Sequence, residues 1–412
     1  MKKVYEKWTS ISLVLRILAG MIVGAIVGCL LPQMTALGIL GDIFVGALKA
    51  IAPLLVFFLV VSALCKGGAS HGGVIRTVII LYMLSTLIAS VLAVFASMIF
   101  KVKMVLPEAV TDTAAPQGIA EVLSNLLMNI VANPVASITN ANYIGILTWA
   151  CLIGIALKAA SEHTKVILSD IATGLSKVVT WIIELAPFGI LGIVFNTVSQ
   201  NGLSIFTSYG KLLLLLVGTM LFIFFVTNPI LVYWCIRKNP YPLIFKCLKR
   251  SAVTAFFTRS SAANIPVNMK VCEEIGLDKD TYSVTIPLGS TINMDGAAIT
   301  ITVMTMATAH TLGIAVDLPT ALILSLLATV SACGASGVAG GSLLLIPLAC
   351  SLFGIPDTVA YQVVSVGFII GVIQDSVETA LNSSSDLLLS ISAELRQKRM
   401  AGKNFNYKEI CQ

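Results

Sequence analysis

Residues 283–302, which read SVTIPLGSTINMDGAAITIT, place an amide and a carboxylate at the centre of a largely apolar stretch. A charged side chain near the middle of a bilayer costs roughly 3 kcal/mol even on the most permissive insertion scales. An Asp at a helix end could reach the interface, but Asp295 has apolar flanks on both sides. We therefore expect Asn293 and Asp295 to face a polar site inside the protein.

The composition places this stretch in an integral membrane protein. Of the 412 residues, 57% are hydrophobic and 11% are charged, and the mean hydropathy is +0.96. These values exclude a soluble globular protein and a disordered one. Apolar runs of about 20 residues recur without period-2 alternation, so the sequence predicts an all-α protein whose helices cross the lipid bilayer.

Cysteine and histidine give no sign of a disulfide framework or a metal site. The nine cysteines are scattered without a CxxC spacing, and we interpret them as small packing residues. The three histidines, His71, His163 and His310, are isolated from one another. No basic patch interleaved with aromatics suggests a nucleic-acid partner, so the net charge of +6 is a topology signal.

The first half of the chain predicts six spans within residues 11–236. The basic start, residues 1–10, precedes an apolar run at 11–31 that is too long for a signal peptide and lacks a clear cleavage site. The runs that follow are 43–65, 77–100, 123–157, 171–198 and 212–236. The fourth and fifth spans exceed about 25 residues, so we expect breaks near Pro134 and Pro187.

The distribution of lysine and arginine predicts that both termini are cytoplasmic. With a cytoplasmic N-terminus, the positive charges inside would be Lys66, Arg76, Lys158, Lys165, the group at 237–250 and the tail at 393–412. Lys101, Lys103 and Lys211 would lie outside. This asymmetry follows the positive-inside rule, and we expect the plasma membrane of a prokaryote.

After residue 250 the hydrophobic segments shorten and carry polar or small-residue interruptions. We call residues 251–271 the first interrupted segment and residues 320–351 the second. Half-length apolar pieces cannot cross about 30 Å of hydrocarbon, so we predict two re-entrant hairpins, at 249–272 and 319–352. Each precedes a full span, at 281–312 and 358–392, which gives an inverted repeat. Such repeats with interrupted helices point to the binding site of a transporter.

The last span carries a polar stripe on an otherwise apolar helix. At 100° per residue its polar side chains fall within a sector of about 140°; they are Asp375, Glu378, Thr379, Asn382, Ser383 and Asp386. A seam of interhelical hydrogen bonds would explain the hydroxyls but not three carboxylates. Oxygen-rich groups suit a hard cation such as sodium, and half-helix N-termini suit a carboxylate, so we expect a zwitterion carried with sodium.

Four motifs, in order and spacing, resemble the glutamate-transporter family of dicarboxylate/amino acid:cation symporters. They are Arg259-Ser260-Ser261, the run from Pro287 through Asn293-Met294-Asp295-Gly296, the glycine-rich residues 334–341, and Asp375 through Thr379, Asn382 and Asp386. The resemblance implies eight spans and two re-entrant hairpins, a homotrimer and an elevator movement. Spans 3 and 6 would move with the hairpins against a scaffold of spans 1, 2, 4 and 5.

The resemblance also implies the residues that contact ligands. The substrate would meet Ser260, Ser261, Gly337, Val338, Ala339, Gly340, Asp375, Glu378, Thr379 and Asn382. Within this set, Asp375 would take the amino group and Asn382 the carboxylate.

Three sodium sites follow from the same resemblance. One would use Asn293, Asn382, Asp386 and the carbonyl of Gly289. Another would use the carbonyls of Thr291, Ala332, Cys333 and Ala335. The third would use Asp295 with Tyr82, Ser85 and Thr86, whose spacing places them on one helical face; a local packing seam would also explain that face. No organic cofactor is expected.

Two positions depart from the pattern of family members that carry acidic substrates. Those members have an Arg just before the Thr of the last span and a Thr just after the Asp-Gly of the preceding one, where this chain has Glu378 and Ala297. A Glu there repels a side-chain carboxylate, so we expect import of neutral serine and threonine. A further hypothesis is that Arg259 pairs with Glu378.

Two alternatives remain beside this reading. The first is a sodium or proton symporter of acidic amino acids or dicarboxylates with the same fold, which Glu378 and Ala297 disfavour. The second is an intramembrane serine protease, suggested by Gly334-Ala335-Ser336-Gly337 and by His310. Short motifs of small residues arise easily in membrane helices, so we expect no enzyme.

Overall fold

The computed structural model describes residues 11, 13–66, 73–106, 128, 130–140, 142–203, 205–333, 335, 340–402 and 405–411. All regular secondary structure in these ranges is helical, as the sequence predicts. The α-helices are α1 Leu13–Leu30, α2 Gly38–Lys66, α3 Gly73–Phe100, α4 Pro134–Thr139, α5 Tyr143–Ala156, α6 Glu162–Glu184, α7 Ala186–Asn201, α8 Ile205–Phe222, α9 Asn228–Ile236, α10 Tyr241–Cys247, α11 Val253–Thr258, α12 Ser261–Glu274, α13 Lys279–Ile292, α14 Asp295–Thr311, α15 Leu318–Ala332, α16 Ile346–Ser351, α17 Asp357–Met400 and α18 Tyr407–Cys411.

Shorter helical turns join some of these helices. π-Helical turns at Ile223–Thr227 and Leu248–Ala252 link α8 to α9 and α10 to α11. A 3-10 turn at Gly341–Leu345 leads directly into α16. Two further 3-10 turns lie at Thr35–Leu37 and Leu157–Ala159.

Several helices have the length and composition of membrane spans. Within the described ranges, those long and apolar enough to cross a bilayer are Thr35–Ser62, Gly73–Phe100, Glu162–Glu184, Phe206–Ile236 and Asp357–Met400. Large apolar side chains also lie on the outside, since Leu214 is 74% exposed and Ile99 is 73% exposed. This surface is the one expected of a protein solvated by lipid. The total of eight spans stays a prediction.

The two breaks expected at prolines are confirmed. Before Pro134, the Asn133 side chain caps α4 by accepting hydrogen bonds from the backbone N–H groups of Val135 and Ala136, at 2.9 and 3.0 Å. Beside Pro187, α6 ends at Glu184 and α7 begins at Ala186. Proline lacks an N–H donor and fits the first turn of a helix, which explains why both helices begin at these points.

The helices pack as two groups. In the first group α1 lies against α7, and α2 lies against α5, α6 and α7. The α1–α7 contact is close because of glycine: a Cβ at Gly20 would lie 2.1 Å from the carbonyl oxygen of Pro187. In the second group α14 lies against α3, α15 and α17 and is buried from Asp295 to Ala309. The polar residues of the predicted site belong to this second group.

Residues 279–311 form two helices, although the sequence pattern suggested one continuous span. Asn293 and Met294 are non-helical between α13 and α14. The Asn293 N–H bonds to the Gly289 carbonyl at 2.9 Å, and the Gly296 N–H bonds to Asn382 Oδ1 at 2.7 Å. Non-helical backbone is tolerated at membrane depth only where its polar groups are satisfied in this way.

Both interrupted segments contain helix breaks. In the first, α11 ends at Thr258 and α12 begins at Ser261, with Arg259 between them at φ 52° in the left-handed region. In the second, α15 ends at Ala332, a 3-10 turn begins at Gly341, and the residues described between them are not helical. The entry of the two segments from opposite sides of the membrane stays a prediction.

A network of neutral side chains fixes the first interrupted segment against α17. The Asn264 side-chain NH2 lies 2.9 Å from Ser251 Oγ and 2.8 Å from Ser383 Oγ. The Asn268 NH2 donates to the Ser383 carbonyl at 2.9 Å. All four residues are buried, so this network ties both arms of the segment to one point of α17.

Candidate functional site

Asp295 is the centre of a fully buried polar cluster between α3 and α14. Its two carboxylate oxygens accept hydrogen bonds from Ser85 Oγ at 2.8 Å and from Thr86 Oγ1 at 3.2 Å. Ser85, Thr86 and Asp295 are each 0% exposed. Two of the three α3 residues that the resemblance groups with Asp295 are therefore hydrogen-bonded to it.

Tyr82, the third predicted residue, is hydrogen-bonded elsewhere. Its hydroxyl lies 2.7 Å from Ser390 Oγ and 2.9 Å from the Asp386 carbonyl. Tyr82 lies one turn before Thr86, and its longer side chain reaches α17. Its place in the predicted sodium site with Asp295 stays a prediction.

Asn228, which the sequence reasoning missed, joins the Asp295 cluster from α9. Its side-chain NH2 donates to Ser385 Oγ at 2.8 Å, and its Oδ1 lies 3.5 Å from Ser85 Oγ. The residue is 0% exposed. An amide within an apolar span just before a proline was the available signal, because polar side chains at membrane depth seldom lack a partner.

Asn293 and Asp386 form a second cluster beside the helix break. Asn293 donates from Nδ2 to Asp386 Oδ1 at 2.9 Å. Gly289 lies against the same carboxylate, since a Cβ there would be 2.9 Å from Asp386 Oδ1. Buried Asn293 Oδ1 has no hydrogen-bond partner within the described ranges. Carboxylate, amide and carbonyl oxygens are the ligands of hard cations, so this donor set fits sodium.

Asn382 connects this cluster with α14. Its backbone carbonyl lies 3.5 Å from Asn293 Nδ2, while its side-chain Oδ1 accepts the Gly296 N–H. Its NH2 group faces Met294 Sδ at 3.4 Å. Asn382 therefore spans the helix break and is in contact with both of its sides.

Asp375 connects the two interrupted segments. Arg259 Nε donates to Asp375 Oδ2 at 2.7 Å, and the two side chains are only 8% and 4% exposed. The Gly340 N–H donates to the other carboxylate oxygen at 3.2 Å. The predicted pairing of Arg259 with Glu378 is therefore replaced by a pairing with Asp375.

Glu378 is buried among neutral donors. Its Oε2 accepts hydrogen bonds from Thr300 Oγ1 at 2.6 Å, from Ser342 Oγ at 2.9 Å and from the side-chain NH2 of Gln374. No ion pair to Glu378 occurs among the residues that the structure describes. The sequence reasoning singled out Glu378 but missed Gln374, whose position one turn earlier on the same face was the available signal.

The remaining predicted substrate residues lie close to these groups. Ser260 Oγ caps α12 by accepting the Ala263 N–H at 3.2 Å, and Ser261 is buried. Thr379 Oγ1 donates to the Asp375 carbonyl one turn earlier at 2.8 Å. The other predicted tip residues, Gly337, Val338 and Ala339, lie outside the described residues.

The predicted site of backbone carbonyls is partly visible. Cys333 Sγ lies 3.7 Å from the Ile292 carbonyl, which brings the end of α15 to the end of α13, next to Thr291. The Ala332 carbonyl accepts the Ala335 N–H at 2.9 Å. Gly334 and Ser336, which prompted the protease alternative, lie outside the described residues.

Comparisons with known proteins give a consistent result. Residues 13–394 match the model of one protein family, which is described as the "Sodium:dicarboxylate symporter family". A serine/threonine transporter SstT of Streptococcus thermophilus (strain ATCC BAA-250 / LMG 18311) is 55% identical over 395 residues, covering 96% of this chain and 98% of that protein. Another of the same name from Bifidobacterium adolescentis is 55% identical over 392 residues, covering 95% of this chain and 91% of that protein.

Proposed function

Because this chain belongs to the sodium:dicarboxylate symporter family, we propose that it imports serine and threonine together with sodium ions. Similarity to serine/threonine transporters over nearly the full length supports this substrate class. The chain is a transporter and not an enzyme, so the protease alternative is dropped.

The observation that carries the substrate class is the buried carboxylate of Glu378. Its neighbours Thr300, Ser342 and Gln374 are neutral, and they stabilise the side chain without adding a positive charge. Like charges at close range in a poorly solvated site repel each other unless one of them is protonated. A substrate with a carboxylate side chain would meet that repulsion, whereas the hydroxyl side chain of serine or threonine would not.

Asp375 is the proposed partner of the substrate's amino group. Its carboxylate lies where Arg259 and Gly340 converge from the two interrupted segments. An ammonium group binding there would extend an existing charge network. The proposed partners of the substrate's carboxylate are Asn382 and the half-helix N-terminus that Ser260 caps.

The proposed sodium sites use the two buried clusters beside α14. One is centred on Asp386 and Asn293, whose Oδ1 is available to a cation. The other is centred on Asp295 with Ser85 and Thr86. A third would use carbonyls at the ends of α13 and α15. Buried carboxylates are costly without a counter-ion, which gives a physical reason for binding cations at these points.

The proposed mechanism is an elevator movement in a homotrimer of the plasma membrane, with both termini cytoplasmic. In support, the helices of the first group pack mainly on one another, and these are α1, α2 and α5–α7. The helices of the second group, α3 and α8–α17, also pack mainly on one another. Two separately packed groups are what relative movement of two rigid bodies requires. Cross-linking of the purified protein would test the trimer.

The direct test is uptake of labelled serine into proteoliposomes that contain the purified protein. We expect uptake with an inward sodium gradient and not with potassium alone. Excess unlabelled threonine should block it and excess aspartate should not. Blockage by aspartate would overturn the argument from Glu378, and absence of sodium-driven uptake of any amino acid would overturn the proposed function.

A further inference from the structure

Gln374 lies one turn before Glu378 on α17 and is 1% exposed. Its side-chain Nε2 lies 2.7 Å from Thr300 Oγ1 and also donates to Glu378 Oε2. Both hydrogens of the NH2 group are therefore used. The orientation of the amide follows from its neighbours, because Thr300 Oγ1 gives its own hydrogen to Glu378 Oε2 and can therefore only accept one from Gln374.

The other end of this amide has no partner. Gln374 Oε1 is buried, and no donor within the described ranges reaches it. Buried polar atoms are nearly always hydrogen-bonded, so each exception requires an explanation. Here two hydrogen bonds fix the NH2 group of Gln374. The side-chain carbonyl is therefore also fixed in its direction, and it is an acceptor without a donor in the described ranges.

The position of this acceptor relates it to the proposed substrate site. The next residue, Asp375, is the proposed partner of the amino group, and Glu378 Oε2 already accepts three hydrogen bonds. Gln374 Oε1 belongs to the amide that donates to Glu378, and it has no donor within the described ranges. An uncharged carbonyl of this kind suits a neutral hydroxyl donor and offers no positive charge to an anion.

We infer that Gln374 determines specificity by accepting, through its side-chain carbonyl, a hydrogen bond from the hydroxyl group of the transported amino acid. This inference rests on the proposed function. Thr300 and Glu378 also act as positioning residues, since their hydrogen bonds fix the amide. A site built to hydrogen-bond a hydroxyl discriminates strongly against an analogue that lacks it, because its own polar group is then left unpaired.

The test compares serine with alanine, which differs by the hydroxyl alone. We would measure two quantities in proteoliposomes, for the wild-type protein and for Gln374→Met. The first is the KM for sodium-driven serine uptake, and the second is the inhibition of that uptake by alanine. Methionine has a similar length and volume but accepts hydrogen bonds only weakly. Gln397→Met is the matched control, because Gln397 lies on the same helix and is exposed.

We expect Gln374→Met to raise the KM for serine about tenfold, the effect of one lost hydrogen bond of roughly 1.4 kcal/mol. In Gln374→Met, the inhibition of serine uptake by alanine should be the same as in the wild type. Gln397→Met should change neither the serine KM nor the inhibition by alanine. A serine KM within about twofold of the wild type, or an equal loss for alanine, would overturn the inference. Failure of the wild type to take up serine would instead reject the proposed function.

Discussion

The buried ion pair between Arg259 and Asp375 allows a prediction with an internal control. Arg259→Met removes the guanidinium and keeps a long apolar side chain. The two side chains are 8% and 4% exposed, so solvent does not screen the pair appreciably. Removal of one partner from a buried pair typically costs about 3 to 5 kcal/mol, because the other charge stays buried without compensation.

The structure favours the lower end of this range. The Gly340 N–H still donates to Asp375 Oδ1 in the variant, so the carboxylate keeps one hydrogen bond. The left-handed backbone at residue 259 is equally strained for arginine and methionine, and this strain cancels. We therefore expect a loss of about 3 kcal/mol in the free energy of unfolding.

A second arginine, nine residues earlier in the chain, supplies the matched control. Arg250 pairs with Glu274 at 2.7 Å, the same distance as the buried pair, but these side chains are 41% and 38% exposed. Arg250→Met should cost at most about 1 kcal/mol, because exposed pairs contribute little. Burial is thus the main difference between the two substitutions.

Thermal unfolding of both variants in detergent, followed by circular dichroism, measures the difference. With an unfolding entropy of about 2.1 cal/mol/K per residue, a loss of 3 kcal/mol lowers the Tm of the whole chain by about 3 to 4 °C. The exposed variant should change the Tm by about 1 °C or less. Equal shifts in the two variants would refute the reasoning from burial.

Three further predictions follow from the site and its scaffold. Glu378→Arg should weaken serine uptake and allow aspartate to compete, and unchanged serine uptake without aspartate competition would contradict the role of this carboxylate. Asn293→Leu should raise the sodium concentration needed for half-maximal uptake about tenfold, because it removes an oxygen beside Asp386; an unchanged sodium dependence would argue against a cation there. Gly24→Ala should lower the unfolding temperature, because its Cβ would lie 2.4 Å from the Leu191 carbonyl oxygen, whereas Gly174→Ala, which has open space, should not.

The sequence predicted the polar residues of α14 and α17 well, for a physical reason. Asp295, Asp375, Glu378 and Asp386 are carboxylates in apolar segments, and such residues are too costly at membrane depth to lack a role. All four are buried in the second group of helices. Ser85 and Thr86 were grouped with Asp295 by the family resemblance, and both side chains donate hydrogen bonds to it.

What the sequence could not give was the choice of partner. Asp375 and Glu378 lie one turn apart on the same helix, so spacing alone did not distinguish them as partners of Arg259, and the structure pairs Arg259 with Asp375. The helix break at Asn293 was also not predicted, since a run of apolar and small residues reads as one helix until its carbonyl and N–H partners are known. Gln374 was not predicted as a site residue, because its side-chain amide carries no charge.

Asn382 has a thermodynamic consequence, because one residue belongs to both proposed sites. Its backbone carbonyl faces Asn293 beside the Asp386 cluster, and its side chain, which accepts the Gly296 N–H, is the proposed partner of the substrate carboxylate. A sodium ion that fixes the conformation of Asn382 therefore also fixes it for serine binding, and serine does the same for sodium binding. Linkage then requires reciprocity: the factor by which sodium strengthens serine binding must equal the factor by which serine strengthens sodium binding.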